Sequence, residues 1–137
     1  MKQRTRIKLC ALSRAEDIAT AVEAGADAIG LVFYPPSPRH VSPQQAGTLL
    51  EGLPAFVSAV GLFVNPTLAQ VHETLAAAPI TMLQFHGDET PRQCAEIAQA
   101  VRRPFLRALR IRPETTAADL LEFDRQYRAC SPLYAGP

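Results

Sequence analysis

Short apolar segments recur along the chain and predict β-strands. They lie at residues 6–12, 28–33, 57–64, 80–85 and 104–111. The second and third segments are almost continuously apolar, which is typical of strands covered on both faces, as in parallel sheets. The intervals between successive strand starts average about 24.5 residues, which is the size of a compact βα unit.

Stretches with helical periodicity fill the intervals between these strands. Helices are predicted over residues 14–24, 43–51, 67–77, 91–102 and 114–129. Ser13 and Glu16 have the spacing of a capping box at the start of the first helix, and Gly25 follows its end. Ser42 is the expected N-cap of the second helix, with Pro43 in its first position.

Regular alternation of strand and helix is compatible with two architectures. One is a (β/α)8 barrel, and the other is an open doubly wound sheet of about five strands. Eight units need roughly 200 residues, the low end for a barrel. The chain has 137 residues, so its length alone favours the open sheet.

Composition and charge narrow the classes of protein. Apolar residues make up 47% of the chain and charged residues 20%, as in a single globular domain. The net charge of +1 argues against nucleic-acid binding, and no apolar run is long enough to span a membrane. The basic N-terminus lacks the apolar stretch of a secretory signal. Three irregularly spaced cysteines indicate reduced thiols and a cytoplasmic location.

Candidate chemistry lies where the predicted strands end, because parallel α/β folds place their sites at the carboxyl ends of the strands. Cys10 ends the first strand, Arg39 lies in a proline-rich loop after the second, and His86 follows the fourth. A thiol, an arginine and a histidine at one edge suit a small anionic substrate. Each residue also has a structural interpretation: a buried thiol, a solvated arginine and a turn-closing histidine.

Other polar residues are assigned no catalytic role. Asp88 and Glu89 are expected to decorate the start of the fourth helix, where carboxylates favour the helix dipole. Cys94 is placed within a helix and Cys130 in the final loop, and neither is expected to be functional. The arginines between 102 and 112 are interpreted as a solvated or phosphate-facing set. No metal-binding spacing and no glycine-rich phosphate loop occurs in the sequence.

Four motifs together resemble phosphoribosylanthranilate isomerase. KLCALS resembles the first-strand motif of this family, usually K-I-C-G-[IL]-[TS], and the segment from EDIATAVEAG to SPRHVSPQQA is similar to its next two units. VGLFVN and LQFHGDE resemble the third and fourth strands. The resemblance extends from about residue 5 to the last residue.

This resemblance implies a fold and an activity. The fold is that of the (β/α)8 TIM-barrel family, here a partial barrel of about five parallel βα units in one domain, 1–137. The implied activity is an Amadori rearrangement in tryptophan biosynthesis that uses no cofactor and no metal. It converts N-(5-phosphoribosyl)anthranilate to 1-(2-carboxyphenylamino)-1-deoxyribulose 5-phosphate. By resemblance, Cys10 is the general base, Arg39 binds the anthranilate carboxylate, and His86 lines the same pocket.

The sequence departs from the family pattern in two respects. Ala11 stands where the family usually has glycine, which restrains the backbone if a positive φ is required. The sequence also stops before the sixth strand, so the general-acid aspartate and the phosphate-binding loops of the family have no counterpart. The alternative is therefore a non-catalytic βα domain that acts by binding or by self-association through the unpaired edges of the first and fifth strands.

Overall fold

The computed structural model describes residues 4–136, and five strands alternate there with five helices. In chain order the elements are β1 (Lys8–Leu9), α1 (Ala15–Glu23), β2 (Ala28–Val32), α2 (Pro43–Leu49), β3 (Ser58–Phe63), α3 (Leu68–Ala77), β4 (Met82–Phe85), α4 (Pro91–Val101), β5 (Phe105–Arg107) and α5 (Ala117–Cys130). The strands form one parallel sheet in the order β1-β2-β3-β4-β5. This sequential order is that of a βα barrel, so the doubly wound sheet favoured by length is excluded.

The core lies between the sheet and its helices, and the alternation of side chains along each strand explains its composition. Ile29 and Leu31 of β2, with Leu83 and Phe85 of β4, are fully buried in one cluster with helix residues. Because successive side chains of a strand point to opposite faces, the intervening residues face the other, concave side of the sheet. That concave side carries the candidate chemistry.

Capping interactions fix where four of the helices begin. The side chains of Ser42, Thr67, Thr90 and Thr116 each accept a hydrogen bond from the backbone three residues on, as part of a full capping box. The capping box predicted for α1 is wrong. Its N-cap is Arg14, with no side-chain cap hydrogen bond. The Glu16 carboxylate accepts a hydrogen bond from the Arg14 guanidinium at 3.0 Å.

The two edges of the sheet differ. β1 is much shorter than the predicted strand 6–12, and Ala11 just beyond it has a left-handed φ of 63°. The prediction of an open edge at β5 is wrong. The amide of Phe105 donates to the Leu133 carbonyl at 2.9 Å, and Ala135 donates to the Phe105 carbonyl at 2.8 Å. Residues 133–135 therefore pair in parallel with β5.

Across residues 4–136, none of the helices has the length and hydropathy needed to cross a membrane.

Candidate active site

One cavity at the carboxyl edge of the sheet contains all three predicted site residues. Its volume is about 490 Å³, and Cys10, Arg39 and His86 line it together. Arg110 lines the same cavity from the segment after β5, and Tyr34 lines it from the segment after β2. A second cavity of about 290 Å³, beside α3, is lined by none of the three. The structure thus brings the three residues together at one place.

Cys10 approaches the neighbouring strand closely because that strand carries Gly30. A methyl group at Gly30 would lie 2.7 Å from the Cys10 sulfur and 3.3 Å from the Lys8 ammonium nitrogen. The sulfur and the nitrogen are therefore at most 6.0 Å apart, the sum of those two distances. The backbone turns into the left-handed region at Ala11, and the amide of Leu12 then donates to the Gly30 carbonyl at 3.1 Å. This hydrogen bond anchors the chain just after the thiol.

Arg39 has its backbone held by the loop that carries it. Val32 and His40 form a parallel bridge, and the amide of Val41 donates to the Val32 carbonyl at 3.0 Å. The amide of Arg39 donates to the Ser37 hydroxyl at 3.2 Å. These contacts extend β2 and fix the backbone that presents the guanidinium, which is exposed at the rim of the cavity.

His86 enters the cavity because of its place in the alternation of β4. Phe85 is fully buried on the helix side, so the next side chain points to the concave side. The amide of His86 donates to the Phe63 carbonyl of β3 at 2.9 Å. The imidazole is exposed to solvent at the cavity rim.

A buried polar network lies directly behind His86 and joins the ends of three strands to α5. We call Glu89, Arg107 and Tyr127 the edge network. The Glu89 carboxylate accepts hydrogen bonds from the amides of Asn65 at 2.9 Å and Gly87 at 2.7 Å. The Tyr127 hydroxyl donates to the Glu89 carbonyl at 2.9 Å and accepts from Arg107 Nε at 3.0 Å. These contacts satisfy polar groups that would otherwise be costly to bury.

The edge network corrects two expectations. Glu89 does not decorate the helix start, since its side chain is only 4% exposed and its carboxylate lies 3.9 Å from the Arg107 guanidinium. Arg107 is not part of a solvated set, since its side chain is 8% exposed and lies over the rings of Phe123 and Tyr127. Local sequence did contain a signal, because Arg107 is two positions from the buried Phe105 and so shares its face.

The remaining cysteines lie away from the cavity. Cys94 is fully buried in α4, and burial raises the pKa of its thiol to about 12, against a smaller opposing effect of the Arg107 charge. Its place within a helix is as predicted. Cys130 is exposed and is the last residue of α5 rather than part of a loop. Burial likewise raises the pKa of Tyr127, which keeps its hydroxyl available as a donor.

The cavity combines an accessible thiol with positive charge. None of the described residues lining it is acidic, so anions are favoured there and a carboxylic acid is not supplied from this set. Within residues 4–136 no group of three His, Cys, Asp or Glu side chains is arranged to hold a metal ion. The arrangement can bind a small anion and hold a thiol against it.

Fold and site together define a class: parallel βα-barrel proteins whose positively charged cavity opens at the carboxyl ends of the strands. Residues 7–133 match the family model described as N-(5'phosphoribosyl)anthranilate (PRA) isomerase. A relative from Herminiimonas arsenicoxydans named N-(5'-phosphoribosyl)anthranilate isomerase is 57% identical over 99% of this chain and 60% of its own length. One from Ralstonia nicotianae is 54% identical, over 95% of this chain and 55% of its own length. The chain belongs to the N-(5'-phosphoribosyl)anthranilate isomerase family.

Solved structures confirm the fold expectation of a partial barrel. Phosphoribosyl anthranilate isomerase from Thermotoga maritima has a TM-score of 0.78 and 34% identity, covering 87% of this chain and 56% of that protein. A second structure of such an isomerase, in complex with reduced 1-(o-carboxyphenylamino)-1-deoxyribulose 5-phosphate, has a TM-score of 0.77 at 34% identity and covers 87% of this chain and 59% of that protein. The chain spans a little over half the length of these relatives and forms five βα units of their barrel.

Proposed function

We propose that this chain carries the part of an isomerase active site that binds the anthranilate end of N-(5'-phosphoribosyl)anthranilate and supplies the general base. The proposal rests on one observation: the residues that the family resemblance assigns to the site all line a single cavity at the carboxyl edge of the strands. The name of the solved relative's ligand, a reduced product of this reaction, supports the same substrate class. The pathway served is tryptophan biosynthesis, and three free cysteines fit a cytoplasmic location.

The proposed reaction is an Amadori rearrangement. A general acid protonates the ribosyl ring oxygen, the ring opens, and the anilino nitrogen becomes part of a protonated Schiff base. The Cys10 thiolate then removes the proton from C2, and the electrons of that C–H bond neutralise the Schiff base to give an enolamine. Tautomerisation of the enolamine gives the ketone product. Lys8 places positive charge within 6.0 Å of the sulfur (2.7 Å plus 3.3 Å, through Gly30), which suits a thiolate base.

Arg39 and His86 are proposed to hold the substrate for this step. A guanidinium pairs with a carboxylate through two parallel hydrogen bonds, so Arg39 suits the anthranilate carboxylate. His86 lines the same cavity, and its proposed role is to contact the bound substrate there. Removal of a single charge-assisted contact of this kind costs about 1.5–3 kcal/mol.

The general acid and the phosphate site are expected outside the set that lines this cavity. None of the described lining residues carries a carboxyl group, and a positioned acid or base contributes typically about 10²–10⁴-fold. We therefore propose that the 137-residue polypeptide assayed alone isomerises the substrate far more slowly than a complete barrel.

Ligand binding tests the substrate proposal without requiring turnover. The probe is reduced 1-(o-carboxyphenylamino)-1-deoxyribulose 5-phosphate, followed by fluorescence of its anthranilate group. Arg39→Gln is expected to weaken binding at least tenfold, and Arg112→Gln, an exposed arginine that does not line the cavity, less than twofold. Equal affinities of the two variants would show that the carboxylate is bound elsewhere.

A binding or assembly role is the second candidate, and the edge at β1 favours it. Among the described residues only β2 pairs with β1, and Ile7 and Leu9 are 48% and 40% exposed. A second copy of the chain could cover this edge. Sedimentation equilibrium of the chain and of its Leu9→Lys variant tests this: a dimer that dissociates in the variant supports it, and a monomer at all concentrations excludes it.

A further inference from the structure

The position of His86 depends on interactions of the segment that carries it. Phe85, His86 and Gly87 connect β4 to the turn before α4, and the His86 imidazole faces the cavity. Its backbone amide is bonded to β3, so one side of the segment is anchored to the sheet. The direction of the imidazole also requires that the other peptide units of this segment stay fixed.

Arg107 binds the peptide unit before His86 and the one that follows Gly87. Its Nη1 donates to the Phe85 carbonyl at 3.2 Å, and its Nη2 donates to the Gly87 carbonyl at 2.7 Å. These carbonyls belong to the residues immediately before and after His86. The donors of a guanidinium lie in a rigid plane, so they fix the relative orientation of two acceptors. An ammonium group has no such planar arrangement and does not fix it.

Glu89 and Tyr127 hold the guanidinium in place from the other side. The Glu89 carboxylate lies 3.9 Å from Arg107 and also binds the Gly87 amide at 2.7 Å. The Tyr127 hydroxyl accepts from Arg107 Nε at 3.0 Å. Both side chains are almost fully buried, so water does not compete for these contacts, and the turn is fixed at both its carbonyl and its amide.

The geometry points to Arg107 as a positioning residue for His86: it fixes the peptide unit before His86 and the one after Gly87, and so the segment that aims the imidazole into the substrate cavity. Arg107 lies on the helix side of β5 and does not line the cavity, so it acts on the ligand through His86. This inference rests on the proposed function in one respect, namely that His86 contacts the bound substrate.

A double-mutant cycle separates positioning from a general structural role, because residues that act through one another are not additive. The variants are Arg107→Met, His86→Ala and the double variant, with reduced 1-(o-carboxyphenylamino)-1-deoxyribulose 5-phosphate as probe. Arg107→Met is expected to weaken binding at least fivefold when His86 is present and less than twofold in the His86→Ala background. Equal weakening in both backgrounds would overturn the inference.

Arg103→Met is the matched control. Arg103 also donates to backbone carbonyls, those of Ile80 and Arg102 at 3.1 and 3.2 Å, but beside the end of α4 and the start of β4. It is expected to change probe affinity less than twofold. A loss as large as that of Arg107→Met would show that any arginine bonded to backbone carbonyls has this effect. If Arg107→Met does not fold, Arg107→Lys replaces it, since lysine keeps the charge without the planar donors, and the same outcomes apply.

A second readout keeps this test independent of the proposed function. The Cε1–Hε1 NMR signal of His86 is compared with those of His40 and His72. In Arg107→Met the His86 signal is expected to shift or broaden while the other two stay unchanged, and in Arg103→Met all three stay unchanged. If the probe fails to bind the unaltered chain, the proposed function fails and the NMR result decides this inference alone. An unchanged His86 signal in Arg107→Met would overturn it.

Discussion

Removal of one buried hydroxyl, in Tyr127→Phe, should destabilise the chain substantially. Tyr127 is 3% exposed, and its hydroxyl donates to the Glu89 carbonyl and accepts from Arg107 Nε at 2.9 and 3.0 Å. A neutral hydrogen bond contributes about 1 kcal/mol and one to a charged group about 1.5–3 kcal/mol. Because phenylalanine keeps the ring, packing is retained, and the expected loss is about 2.5–4 kcal/mol of the free energy of unfolding.

Urea denaturation followed by far-ultraviolet circular dichroism measures this loss. The typical free energy of unfolding of a domain is about 5–15 kcal/mol, so the midpoint should move clearly while the slope stays constant. Tyr34→Phe is the control, since Tyr34 is 36% exposed and its change should stay within about 0.5 kcal/mol. A loss below about 0.5 kcal/mol in Tyr127→Phe would refute the claim that the edge network stabilises the carboxyl edge.

Two further predictions concern thiols and backbone. At pH 8 an alkylating reagent should modify Cys10 and Cys130 within minutes and leave Cys94 unmodified in the folded chain. The reason is that burial raises the pKa of Cys94 to about 12 and keeps its thiol neutral. Peptide mass spectrometry checks this, and rapid labelling of Cys94 would contradict its buried placement. Ala11→Gly should stabilise the chain by about 0.5–1 kcal/mol, because it relieves a left-handed φ of 63°, whereas Ala19→Gly in helix α1 should destabilise it by about 1 kcal/mol in the same denaturation assay. Equal losses in the two glycine variants would refute the argument from φ.

Periodicity was sufficient to predict the order of the elements, because it reflects local burial. The apolar runs that became β2 and β3 are covered on both faces, and their residues are almost all buried. The predicted length of β1 is too great because periodicity does not show the conformation of the backbone. Cys10 and Ala11 continue the apolar run, but the left-handed backbone at Ala11 ends the ladder.

The site was predictable where a residue's role follows from the strand it ends, and not where it follows from a distant partner. Cys10 and His86 were expected at the carboxyl edge because each follows a strand, and they line one cavity there. Glu89 was misinterpreted because its partners, Arg107 and Tyr127, lie 18 and 38 residues further along the chain. Proximity to a helix start suggested a surface carboxylate, and only tertiary packing reveals a buried one.

The most direct test of the central claim is the isomerisation of phosphoribosylanthranilate, followed by the loss of anthranilate-type fluorescence. The chain is assayed alone and mixed with a polypeptide comprising the portion of the Herminiimonas arsenicoxydans relative that this chain does not match. Turnover is expected in the mixture and to be far lower for the chain alone. Cys10→Ala should reduce turnover in the mixture by about 100-fold or more, and Cys130→Ala, which alters the other exposed thiol, should leave it unchanged. Undiminished turnover in Cys10→Ala would contradict the assignment of Cys10 as the general base.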